Sequence, residues 1–242
     1  MSTAIQPQDN LILSALPSSD LERINSRLEP IELLHSAVIY RPGDVVEHVY
    51  FPTGSMISLI NQLSDGSSVE TGATGYEGVV GIYALLGVDE SPQEAMVQFP
   101  GSAIRVTMDD LKSEFKRAGA LQDLLLRYLR TLLLQTSQIA ACNRLHTIPE
   151  RLARWLLMSR DRCRCDELPF TQEFLALMLG TRRAGVTQSA LILQADGYIK
   201  YRRGHITISD VEGLENYSCE CYAVLKEDFK RLCIESSKRK KA

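Results

Sequence analysis

Phe170–Asp210 reads FTQEFLALMLGTRRAGVTQSALILQADGYIKYRRGHITISD, and this stretch decides the fold. Thr171 precedes Phe174, Leu175, Leu177, Met178 and Leu179 at helical spacing, and Gly180 ends the run. Thr181 is placed to cap a second helix, its hydroxyl taking a free backbone N–H. That helix carries Arg182 and Arg183 in its first turn, with Thr187 and Gln188 one turn further on. Val186, Ala190, Leu191 and Leu193 form an apolar stripe expected to pack against the first helix. Gly185 within it costs about 1 kcal/mol relative to Ala. Two helices joined through a short Gly-containing turn make a helix-turn-helix. Gly197 then stops the second helix, and Lys200-Tyr201-Arg202-Arg203-Gly204-His205 turns a strand back into Ile206-Thr207-Ile208. The expected product is a short hairpin with a basic tip, a wing whose arginines grip a phosphate backbone.

Charge is distributed to match. The whole chain of 242 residues has a formal net charge of −3, but the sum hides an asymmetry. Met1–Asn143 holds 9 Lys and Arg against 17 Asp and Glu, whereas Arg144–Ile208 holds 11 against 6. An acidic front joined to a basic segment is the pattern of a sensor module attached to a nucleic-acid module. Apolar content of 45% and charged content of 24% are those of an ordinary globular protein. No apolar run reaches the length of a membrane helix, and Met1–Ile5 shows no secretory leader, so the expected location is the cytoplasm.

Upstream, the periodicity is that of strands. Residues 1–30 read as helical, with Leu11, Leu13, Leu16, Leu21, Ile24 and Leu28 as core candidates. Strands are expected at Ala37–Tyr40, Val45–Phe51, Ser55–Leu63, Ser67–Thr71, Glu94–Phe99 and Ala103–Val106. The turns between them include Pro42-Gly43-Asp44, Asp65-Gly66 and Pro100-Gly101. Short strands and frequent turns predict an antiparallel roll. From about Asp109 the period becomes helical, and Leu125, Leu129, Leu132, Thr136, Ile139 and Asn143 alternate four- and three-residue steps. That is an a/d seam suited to a second copy of the chain, although burial inside one copy satisfies the same pattern. Thr147 and Glu150 form a capping box for the next helix, with Pro149 in its first turn, which makes Leu145–Ile148 a hinge candidate.

Phe170–Ile208 resembles the winged helix-turn-helix of the CRP/FNR superfamily of bacterial transcription regulators. The matching residues are the Thr-Gln-Glu start, the Gly180 turn, the Thr-Arg-Arg entry and the Asp-Gly-Tyr-Ile lead into the wing. The front half is similar to the β-roll of cyclic-nucleotide-binding domains, through Arg41-Pro42-Gly43-Asp44, Val49-Tyr50-Phe51 before Gly54, and Asp65-Gly66. The resemblance implies an α+β chain in four parts. These are a cyclic-nucleotide-binding-like jelly roll over 1–115, a long dimerisation helix and hinge over 116–146, a winged helix-turn-helix over 147–212, and a tail over 213–242. It implies a homodimer on double-stranded DNA, with RNA polymerase as a protein partner and a small-molecule effector that the residues do not identify. Base readout falls on Arg183 and Gln188 and phosphate contacts on Thr171, Thr181, Arg202 and Arg203, while Arg182, Thr187 and His205 complete the DNA-binding set.

One part departs from the family pattern. Nucleotide-binding members place an Arg-Ser/Thr-Ala triplet shortly after a Gly-Glu segment, and the Arg holds the cyclic phosphate. Here Gly75–Gly81 stands for the first segment, with Glu77 as the effector-contact candidate, but Pro92-Gln93-Glu94-Ala95 stands where the Arg belongs. A carboxylate beside a phosphate repels it, so cyclic AMP is not the expected effector, and the competing reading of Glu77 is a solvated loop carboxylate.

An enzyme is not expected: His35 and His48 lie in different β segments and no nucleophile elbow is present. No cofactor is expected either. An alternative is a redox- or metal-responsive regulator using the Cys163/Cys165 and Cys219/Cys221 pairs, since four thiolates suit zinc or a disulfide. Reduced thiols are the competing reading, and no catalytic or metal residue is assigned. A third reading gives the helix-turn-helix a protein partner in place of DNA. The basic end, Ser236–Lys241, either adds non-specific DNA attraction or is simply solvated.

Overall fold

The structure is a computed structural model that describes residues 5–239, with side chains through Leu232. The chain forms two compact units. The first takes the chain up to Leu59, Ala73–Leu133 and the segment from Asp228 onward, and the second takes Ile60–Gly72 and Leu134–Glu227.

In the first unit two helices, α1 (Leu11–Ser14) and α2 (Ser18–Asn25), precede the roll. The Asn10 side chain accepts from the backbone of Ile12 and Leu13 to cap α1. Its amide also donates to the carbonyls of Pro52 and Gly78, both at 2.9 Å, so one buried residue ties the entry helix to the strands. The strands are β1 (Glu29–Leu33), β2 (Val38–Tyr40), β3 (His48–Pro52), β4 (Met56–Gln62), β5 (Ser68–Thr74), β6 (Glu94–Phe99) and β7 (Gly101–Thr107). They form two sheets, in the orders β1-β7-β3 and β2-β6-β4-β5. Antiparallel register sets Glu29 opposite Arg105, whose side chains pair at 2.8 Å. Six strands fall where alternation predicts them, with small shifts at their ends. The seventh, β1, is hidden by Pro30, which a sheet tolerates because β1 lies at its edge. Val49, Phe51, Ile57, Val97, Ile104 and Val106 fill the core together with Ile12, Leu13 and Ile24.

The helical region beyond the roll is broken in two. Thr107 caps α3 (Met108–Phe115), Ala118 takes a φ of +55°, and α4 (Ala120–Leu145) follows. On α4 the expected seam is corrected. Leu125, Leu132 and Ile139 are buried within the chain itself, with Leu125 and Leu132 in the core beside Leu121, Leu124 and Tyr128. The face left open lies one residue along. Leu126 is 47% exposed, Leu133 is 60% exposed and Ala140 is exposed, flanked by partly exposed Leu129, Thr136 and Asn143. A seven-residue repeat counted along sequence fits both registers, and only packing against the roll chooses between them.

The second unit holds the end of α4, then α5 (Ile148–Cys163), β8 (Glu167–Leu168), α6 (Gln172–Met178), α7 (Arg183–Ala195), β9 (Ile199–Arg202), β10 (His205–Ile208), α8 (Val211–Tyr217) and the start of α9 (Glu220–Arg239). The capping box is present: the Thr147 backbone N–H and hydroxyl both donate to Glu150, at 2.8 and 2.7 Å. Leu152, Trp155 and Leu156 are core. Trp155 meets the rings of Phe170 and Phe174 edge-on at 5.0 and 6.3 Å, and its indole N–H donates to Glu70 at 3.0 Å. The side chains of the basic end, Ser236–Lys241, lie outside the described residues, as does Met1–Ala4. No described helix is long and apolar enough to cross a membrane.

Candidate nucleic-acid interface

Thr171 starts the site: its hydroxyl accepts from Phe174 N at 3.2 Å and caps α6. The turn runs through Gly180, and Thr181 N donates back to Ala176 O at 2.9 Å. Thr181 does not cap the next helix. Arg182 holds the cap position of α7 with no side-chain cap, because the helix starts one residue later than the sequence places it. The first turn of α7 therefore ends in backbone N–H groups flanked by the exposed side chains of Arg182 and Arg183. A helix N-terminus dressed this way favours an anion.

Val186, Ser189, Ala190 and Leu193 form the buried face of α7. Leu191, expected on that face, is 59% exposed, because a stripe of period 3.6 that includes 186, 190 and 193 leaves 191 off its edge. Gly185 has a packing reason: a Cβ there would lie 3.0 Å from Ile148 Cδ1, so its helix penalty is offset by the close approach of α5. Thr187 donates to Gln172 Oε1 at 2.7 Å and to Arg183 O at 3.1 Å, which joins α6 to α7. Gln188 is exposed one turn and a half beyond Arg183. Arg151, largely buried in α5, donates through Nη2 to Leu179 O and holds the turn, while desolvation lowers its pKa from the usual guanidinium value.

The wing is set by backbone geometry. Arg203 and Gly204 have φ of +49° and +81°, the pair of left-handed residues that a two-residue hairpin turn requires. Antiparallel register then puts Arg202 opposite His205 and Tyr201 opposite Ile206. Ile206 and Ile208 point inward, while Lys200, Arg202, Arg203 and His205 are exposed. Tyr201 anchors the strand, its backbone N–H donating to Gln194 Oε1 at 2.9 Å and its hydroxyl to Phe170 O at 3.1 Å.

Helix-turn-helix and wing meet at one depression, of about 370 Å³, lined by Thr171, Gln172, Glu173, Arg183, Tyr201, Arg203 and Gly204. Thr171, Arg183 and Arg203 are thus brought together. Arg182, Gln188, Arg202 and His205 are exposed outside it. The sequence reading missed Glu173, whose carboxylate pairs with Arg183 Nη1 at 2.8 Å; a Glu ten positions before an Arg carries no local signal.

Glu77 does not match its solvated reading. It is 2% exposed and accepts from Gly75 N at 3.0 Å, so it holds its own loop. The thiols also rearrange. Among the described residues, the group able to hold a metal is Cys142, His146, Cys219 and Cys221, and neither Cys163 nor Cys165 belongs to it. Cys165 instead donates to Glu167 O at 3.3 Å. A hydrogen bond from Cys219 draws the Cys142 thiol down to about 5, while the same bond and burial raise Cys219.

The folded parts define a class: a β-roll and a long helix joined to a winged helix-turn-helix module. Residues 150–217 match the Crp-like helix-turn-helix domain. No curated protein matches the chain by sequence. Solved structures with the same fold include a transcriptional regulator of the Crp/Fnr family from Eubacterium rectale, 15% identical, covering 85% of this chain and 96% of that one with a TM-score of 0.67. The c-di-GMP-responsive global regulator CLP of Xanthomonas campestris is 19% identical, with 79% and 99% covered and a TM-score of 0.64. FixK2 of Bradyrhizobium japonicum is 16% identical, with 79% and 98% covered and a TM-score of 0.65. Residues 150–217 thus carry a Crp-like helix-turn-helix domain, and the chain shares the fold of these regulators.

Proposed function

We propose that the chain works as a cytoplasmic homodimer that places one α7 from each copy into successive major grooves of a two-fold operator. The observation that carries this is the single basic surface formed by the α7 N-terminus and the wing tip. Within it, Arg183 and Gln188 read base edges. Thr171, Thr181, Arg182, Arg202, Arg203 and His205 hold phosphates and fix the register, and Thr187 braces α6 against α7. The second copy docks on the open face of α4 through Leu126, Leu129, Leu133 and Ala140, because a row of exposed leucines at heptad spacing on a long helix buries itself against its own two-fold mate. Recruitment of RNA polymerase follows from the role and has no surface assigned to it.

Cyclic AMP is not the effector in this reading. Gln93 and Glu94 occupy the place of the phosphate-binding Arg, and Glu94 begins a strand. The space beside Gly78 is filled by Tyr128 of α4, whose ring a Cβ at that glycine would meet at 2.2 Å, and whose hydroxyl bonds Thr74 at 2.7 Å.

Fluorescence anisotropy on duplex DNA tests the proposal. Affinity is expected to fall steeply as salt rises, because displaced counterions accompany each phosphate contact. Binding that is absent at low salt, or indifferent to salt, overturns it.

A further inference from the structure

We propose that Cys142, His146, Cys219 and Cys221 are the four ligands of a single tetrahedral zinc ion. Cys142 lies in the last turn of α4 and His146 is the next residue after the helix, its N–H donating to Cys142 O at 3.1 Å, so both reach the same side. Cys219 immediately precedes α9 and Cys221 is its second residue, which brings two more donors from 77 positions away. All four donor atoms lie within 4.8 Å of one another. Cys142 Sγ to Cys219 Sγ is 3.5 Å, and Cys221 Sγ to His146 Nδ1 is 3.6 Å. Zinc–sulfur bonds of about 2.3 Å at tetrahedral angles place ligand atoms about 3.5–3.8 Å apart, so one ion fits between them. The sulfurs are too far apart for a disulfide, whose bond is about 2 Å. They are also too close for ligands spread around a multi-iron cluster.

The surroundings are those of a metal site. His146 turns Nδ1 to the thiols and sets Nε2 3.1 Å from Glu220 Oε2, the carboxylate–histidine arrangement that orients a metal-bound imidazole. Gln138 Nε2 donates to Cys221 Sγ at 3.1 Å. Arg154, 2% exposed, has the Met158 sulfur as its hydrogen-bond acceptor, its Nε makes no hydrogen bond, and Cys142 is its electrostatic neighbour. A buried guanidinium needs an anion. Three thiolates on one zinc ion leave a net negative charge there, whereas three thiols leave none. The ion would fasten the start of α9 to the end of α4, one residue before the α5 cap.

The test uses the reduced full chain without a histidine tag. Elemental analysis should find about one zinc per chain. Cys163→Ser/Cys165→Ser should retain it, and Cys219→Ser/Cys221→Ser should lose it. Cobalt(II) titration of the wild type should give the visible bands of a tetrahedral ion and thiolate charge-transfer absorption, and needs no variant to fold. Glu220→Gln and Gln138→Ala should weaken metal affinity about tenfold to a hundredfold without altering the fold. A cobalt titration without tetrahedral thiolate bands overturns the proposal. So does metal retained by the Cys219/Cys221 variant, or a Cys142–Cys219 disulfide in the protein as isolated. None of these readouts involves DNA, so the site stands or falls apart from the operator-binding proposal.

Discussion

Arg183 pairs with Glu173 across α6 and α7 at 2.8 Å, and the proposed readout asks the same guanidinium to reach DNA. Both side chains are more than half exposed, and such a pair is worth at most about 1 kcal/mol. Arg183→Ala is expected to cost about 1–3 kcal/mol on the preferred duplex and to relax preference at one base position. Equal losses on preferred and random duplexes would reduce Arg183 to a phosphate contact. Glu173→Gln removes a carboxylate that faces incoming phosphates and releases the guanidinium. Anisotropy should show duplex binding tightened about two- to fivefold, in line with the small worth of an exposed pair. Weaker binding would mean that Glu173 orients Arg183 for readout.

At the level of elements, α5 depends on its capping box and α4 on its open face. Thr147→Ala should destabilise the chain by about 1 kcal/mol in urea unfolding at neutral pH. Thr147 holds the Glu150 carboxyl below its ordinary 4.5, so this stabilisation is complete above that value and is lost as pH falls through the folded pKa. The gap between variant and wild type should therefore shrink in acid; a gap that widens there contradicts the box. On α4, Leu133→Glu sets a carboxylate in the expected dimer seam. Sedimentation should show dissociation increased by about a hundredfold or more, since a buried unpaired charge costs several kcal/mol. An unchanged dimer would move the interface elsewhere.

The same elements show what a sequence carries. The helix-turn-helix and wing are legible because caps, glycine stops and apolar spacing act within a few residues, and most of the expected DNA-facing side chains are indeed exposed. The capping box at Thr147 is local in the same way. The open face of α4 lies one residue from the expected seam because Leu125 and Leu126 are equally apolar, and only the roll's core, which takes Leu125, separates them. The thiol partners are misassigned for a related reason: two Cys-x-Cys pairs look alike along the chain, while Cys142 and His146 are joined to the second pair only by the fold. A histidine four residues after a cysteine near a helix end was the available signal.

Over the whole molecule, charge is segregated. The acidic front carries 17 Asp and Glu against 9 Lys and Arg, and the segment with α7 and the wing carries 11 basic residues against 6 acidic. The net charge of −3 would by itself argue against a polyanionic partner, but attraction acts over about a Debye length, so the local surface decides. In the proposed mode of action two copies present paired α7 helices to one duplex. Selection of bound sequences from a pool of random double-stranded DNA tests it most directly. The expected result is an inverted repeat whose half-sites are centred about 34 Å apart, one turn of the double helix. A pool that stays random after repeated rounds, or one that converges on a single unrepeated half-site, would contradict it.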